Sequence, residues 1–114
     1  EYRTSNGYRV LCGKNNLQND ELTFRVASGS DLWLHVKNGH GAHVIVLTEG
    51  KKVPDETIKI ASEIACSDFK GSQNVDYTER RNVKRMPNGH PGQVIYVNYK
   101  TALVTPNDHI ELKV

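Results

Sequence analysis

Apolar and polar positions alternate with a period of two in several short stretches, the pattern of strands with one face turned to a core. Residues 7–13 (GYRVLCG) alternate in this way between bounding glycines, and 31–36 (DLWLHV) and 42–47 (AHVIVL) read as two further strands. The last is nearly continuous in apolar residues, as suits a strand covered on both faces. The joint 37–41 between the second and third carries two glycines, which predicts an antiparallel hairpin. Helical spacing appears twice. Asn19-Asp20 offers an N-cap, and Leu22 with Val26 lies four apart, predicting a short helix over about 20–27, although LTFRV also fits a strand. Ile58, Ala61, Ile64, Ala65 and Phe69 recur at helical intervals after Pro54, with Asp55 as cap, Glu56 in the first turn and Gly71 placed to end the helix.

Short strands follow near 75–78, 93–98 and 101–105, and between the first two runs a basic loop or ribbon, 81–91, containing Pro87, Gly89 and Pro91. Along the strand near 93–98, Val94 and Tyr96, with Asn98, share one face, and Ile95, Val97 and Tyr99 the other. Runs of strands with one long and one short helix, and no repeats, indicate a single α+β domain with a mixed, mainly antiparallel sheet over residues 1–114. At 114 residues there is room for one core and not two. The chain begins at Glu1, which suits a fragment of a longer multidomain protein.

Charge sharpens the picture. The net charge is only +2, but residues 80–100 hold Arg80, Arg81, Lys84, Arg85 and Lys100 with no Asp or Glu, and His90 besides. The remaining residues carry ten basic and thirteen acidic side chains. A cationic stripe on an otherwise slightly acidic domain points to a polyanion such as RNA. Tyr77, Tyr96, Tyr99 and Trp33 can stack on unpaired bases where they are exposed, or fill the core where they are not.

Other chemistries have weaker footing. His35, His40 and His43 suggest a zinc ligand set, but on a strand and its turn their side chains diverge. Cys12 and Cys66 are too few for a disulfide framework and have no local partner signature for nucleophilic catalysis. Lys14-Asn15-Asn16 lacks the glycines of a phosphate-cradling loop. The expectation is no catalytic residue, no metal and no cofactor. No apolar run reaches the length of roughly 18 residues that a membrane helix needs.

Several segments, taken together and in order, resemble one family: YRVLCGKNNLQND (8–20), DLWLH (31–35), Gly41 to His43 with the following VIV, VDYT (75–78) and VKRMPNGHPGQVIYVNYKTALVT (83–105). They are similar to the NFACT-R domain, the C-terminal portion of the RqcH or fibronectin-binding-protein-A-like proteins of bacteria and of the NEMF-type ribosome quality-control factors. The resemblance implies a cytoplasmic protein that engages the large ribosomal subunit carrying peptidyl-tRNA and recruits tRNA to add C-terminal alanine without mRNA. NFACT-R would supply RNA contacts, while other domains of the parent protein do the rest.

On this pattern the basic stripe (Arg80, Arg81, Lys84, Arg85, His90 and Lys100) is the first RNA-binding candidate. Lys14, Asn15, Asn16, Trp33, His35 and His43 form a second patch, chosen from the family motif. Three departures stand out. The hairpin turn reads His40-Gly41-Ala42-His43 where the family has Pro-Gly-Ser-His, His90 stands where a lysine is usual, and the segment 67–74 is short. The alternative expectation is a protein-binding module, with fibronectin as the partner.

Overall fold

A computed structural model describes all 114 residues. Eight strands and two α-helices are present: β1 (Tyr2–Arg3), β2 (Arg9–Cys12), α1 (Asn16–Glu21), β3 (Leu32–Val36), β4 (Val44–Leu47), α2 (Asp55–Ala65), β5 (Gln73–Glu79), β6 (Val83–Arg85), β7 (Val94–Tyr96) and β8 (Lys100–Val104). Six of the strands form one sheet in the order β1-β2-β4-β3-β5-β8, and β6 with β7 makes a separate two-stranded ribbon. Every pairing is antiparallel. The architecture is α+β, as the pattern predicted.

Strand periodicity sorts the side chains of the sheet into two layers. Val10, Leu34, Val36, Val44, Val46 and Val75 face α2, whose Ala61, Ile64 and Ala65 close that core. Trp33 and Ile45, opposite one another on β3 and β4, face the other way. There Leu22 and Phe24 from one side, and Val83, Val94 and Tyr96 from the ribbon, cover them. The nearly unbroken apolar run of β4 is thus explained by coverage of both faces. Alternation in the ribbon also holds: Val94 and Tyr96 point inward, while Ile95 and Val97 are exposed.

Helix ends depart from the sequence reading. The first helix starts at Asn16, because the Asn15 carboxamide accepts the Gln18 backbone N–H while the Gln18 side chain accepts that of Lys14. Asn19, expected at the cap, is mid-helix and buried. Past Glu21 the helix widens into a π-turn, Leu22–Val26, closed by the Ala27 N–H on the Leu22 carbonyl. At α2 the cap position is Pro54, and Asp55 with Glu56 occupies the first turn, where negative charge complements the helix dipole. That helix stops at Ala65. Phe69 continues the period in sequence but lies beyond the helix, packed near Gly39 and Gly41 of the hairpin. The two-residue strand β1 has no signal in the sequence pattern; Tyr2 is bridged by Lys113.

The ribbon is fastened to the sheet by a buried carboxylate. Asp76, on the ribbon-facing side of β5, accepts the Tyr96 hydroxyl at 2.5 Å and the Thr101 hydroxyl at 2.7 Å, and pairs with the Lys37 ammonium at 3.2 Å. Burial first, and the carboxylate second, hold the Tyr96 phenol above its ordinary pKa, so it donates at any working pH. Tyr96→Phe removes a hydrogen bond to a charged group and is expected to cost about 2 kcal/mol of stability, measured as a shift of the urea midpoint without a change in slope.

Candidate nucleic-acid interface

The predicted contact residues fall into two groups. Lys14, Asn15 and Asn16 lie at the start of α1, His35 on β3 and His90 near the ribbon tip; these five line one open cleft between α1, the β3–β4 hairpin and the ribbon, together with His40, which the sequence offered only as a metal candidate. Asn19 builds its floor: its carboxamide accepts the His43 N–H at 3.1 Å and donates to the Gly41 carbonyl at 3.4 Å. Gly13 is required beside it, since a Cβ there would collide with the Asn19 side chain. Asp31 plays the same part at the far end of β3, accepting the backbone N–H groups of Ser28 and Thr48 at 2.9 Å each.

Two members of the motif-based patch are core residues. Trp33 has 0% exposure and His43 has 1%. Neither can stack on a base or meet a phosphate, because the π-turn and the ribbon cover that face of the sheet. The indole N–H of Trp33 donates to His43 Nδ1 at 3.2 Å, and the Thr23 hydroxyl meets the same nitrogen at 2.8 Å. An Nδ1 that accepts the indole proton belongs to a neutral imidazole. Burial, with a smaller contribution from His35, lowers the His43 pKa to about 4. His35 stacks on Trp33 with ring centroids 5.7 Å apart, and burial lowers its pKa as well. No three metal-ligating side chains converge around these histidines.

The aromatic candidates sort the same way. Tyr77 packs into the α2-side core and Tyr96 against Trp33 at 4.7 Å. Tyr99 alone of the four is well exposed, and the Lys37 ammonium sits 4.7 Å from its ring centre.

The basic stripe is partly neutralised by two acidic partners, one distant in sequence and one adjacent to the stripe. Arg85 makes a two-pronged pair with Asp20, Nε to Oδ1 at 3.1 Å and a terminal nitrogen to Oδ2 at 2.9 Å. That guanidinium holds the Asp20 carboxyl below the usual carboxylate range. Arg81 pairs with Glu79 at 3.4 Å and also donates to the Gly29 carbonyl. Arg80 spends its Nε on the Thr23 carbonyl, an acceptor at the π-turn, at 2.5 Å. Lys84 and Lys100 are exposed with no ion pair, and Lys84 stands on the outward face of β6, opposite Ile95. The stripe therefore offers two free ammonium groups and three guanidiniums already engaged.

The family model of the NFACT protein RNA binding domain matches residues 1–98. The chain belongs to that family. It is 42% identical over 117 residues to the Rqc2 homolog RqcH of Bacillus subtilis, covering 98% of this chain and 20% of that protein. With the Rqc2 homolog RqcH of Streptococcus suis it shares 40% over 103 residues, covering 87% of this chain and 18% of that one. Its fold matches the solved C-terminal part of the fibronectin/fibrinogen-binding protein of Streptococcus suis with a TM-score of 0.91 and 36% identity, over 99% of this chain and 48% of that one. The NFACT domain thus spans about one-fifth of the length of these curated relatives. No helix of it is long and apolar enough to cross a membrane.

The neutral His43 gives the domain a pH signature. Its folded pKa lies near 4 against an ordinary value near 6.5, so the unfolded chain takes up the proton first. Stability is full above about pH 6.5 and is expected to fall by up to about 3 kcal/mol as pH drops toward 4. His43→Asn, which keeps an acceptor near the position of Nδ1, should flatten urea-midpoint curves across that window.

Proposed function

We propose that this NFACT domain is the RNA-contacting module of a ribosome quality-control factor. It engages tRNA or large-subunit rRNA on stalled 50S-type particles while the parent protein adds C-terminal alanine. The observation that carries this reading is the cationic stripe, Arg80 and Arg81 in the turn before β6, Lys84 and Arg85 on β6 and Lys100 on β8, in a domain from an RNA-binding family. Its cations neutralise phosphates and release condensed counterions, the main source of nucleic-acid affinity. The cleft lined by Lys14, Asn15, Asn16, His35 and His90 supports the reading with amide, imidazole and ammonium groups suited to bases and riboses. In this reading the domain acts by binding, in the cytoplasm, and the chemistry of tailing belongs to the ribosome and its tRNAs.

The likeness to a solved protein titled for fibronectin and fibrinogen binding favours a second reading, an interaction module for such proteins. Direct binding of tRNA, purified 50S subunits and fibronectin separates the two. Tight, salt-insensitive fibronectin binding with no affinity for RNA would reverse the order. Replacing Lys84 and Lys100 together with alanine is expected to reduce the log–log slope of tRNA binding against salt by about 0.7–0.9 for each phosphate that is no longer neutralised. A slope that stays the same in filter-binding titrations removes these two side chains from the interface.

A further inference from the structure

Phe24 is not among the residues expected to touch RNA, yet two guanidiniums converge on it. Arg80 lies over its ring at 4.8 Å from the centroid and Arg85 at 4.3 Å. The two arginines flank a short turn and β6, and Phe24 comes from the π-turn, far earlier in the chain. Two like charges against one aromatic ring repel, and the attraction of each to the ring quadrupole, with the Thr23 carbonyl bonded to Arg80, offsets that repulsion. Asp20, at the end of α1, then meets Arg85 with both carboxylate oxygens.

We propose that Arg80 and Arg85, arrayed on Phe24, form a phosphodiester-binding clamp whose resting counter-ion is the Asp20 carboxylate. The clamp rests on the RNA-binding reading and assigns it a specific anion site. A bidentate carboxylate offers a guanidinium two oxygens, as the two non-bridging oxygens of a phosphodiester do, so the one can replace the other. Exposure permits the exchange: the Arg85 side chain is 56% accessible and that of Asp20 21%, and a solvent-screened pair of this kind contributes little stability. The terminal nitrogens of Arg80 have no protein partner, leaving it free to take a phosphate oxygen while its Nε stays on the Thr23 carbonyl. Displaced Asp20 recaptures a cation from solution, so Arg85 adds less to the salt dependence than a free cation does. Phe24 is a positioning residue: it touches no phosphate and fixes the spacing of the two charges.

Asp20→Asn keeps the shape of the side chain and removes its charge. In filter binding to bulk tRNA across a KCl series, this variant is expected to bind about two- to fivefold tighter and to steepen the log–log slope by up to about 0.7–0.9. Phe24→Leu, which keeps apolar bulk without a ring face, should weaken binding about threefold. Two controls separate the clamp from charge removal in general. Glu21→Gln, the neighbouring acid, should change nothing, and Asp20→Asn should lose its gain in an Arg85→Ala background. Thermal unfolding of each variant shows whether its fold is intact. Wild-type binding with no gain from Asp20→Asn, or a gain that persists without Arg85, overturns the clamp while the RNA reading stands. Absence of wild-type tRNA binding at low salt overturns both.

Discussion

A single buried carboxylate decides where the functional half of this molecule sits. Asp76 lies within the sheet with 1% exposure, and its charge is tolerable there only because three donors converge on it. Those donors come from three places: Lys37 after β3, Tyr96 on β7 and Thr101 on β8. Meeting the needs of one anion therefore fixes the ribbon, the hairpin and the last strand in one frame. With Tyr96 tied down, its ring closes over Trp33, and the Trp33 indole in turn donates to His43 in the same buried layer. The cleft and the arginine cluster both inherit their geometry from that frame.

Much of the frame was legible in the sequence. The apolar runs 31–36 and 42–47, joined by a glycine-bearing turn, were enough to give both strands and the hairpin, and parity placed Val94 and Tyr96 on one shared face of their strand without showing that this face is the inward one. The long helix was legible up to Ala65. Phe69 kept the helical period, but period cannot reveal that the backbone leaves helical angles at Cys66. The start of α1 depended on whether Asn15 or Asn19 turned its carboxamide to a backbone N–H, and the two residues look alike in sequence.

Asn19, Asp31 and Asp76 carry no such signal, because side chains of these types usually face water. Nothing local distinguishes one that will be buried with its hydrogen bonds satisfied. Trp33 and His43 show the converse. A shared motif marked them, and RNA contact was the natural reading of it. Whether an aromatic on β3 is exposed is settled by residues 83–96, which fold over it from elsewhere in the chain. Likewise the tally of positive charge in 80–100 is correct, yet it cannot show that Asp20 has already answered Arg85.

The ribbon is anchored at its base, through Val83 and Tyr96, while Pro87, Asn88 and Gly89 at its tip are exposed. Anchoring at one end and freedom at the other decouples the ribbon's reach from the integrity of the core. Extra residues inserted at the tip would lengthen the arm at little entropic expense, since loop closure grows only slowly with chain length. Relatives could then differ in how far the arm projects while leaving the Asp76 junction intact, so length variation in this domain should concentrate between Met86 and His90.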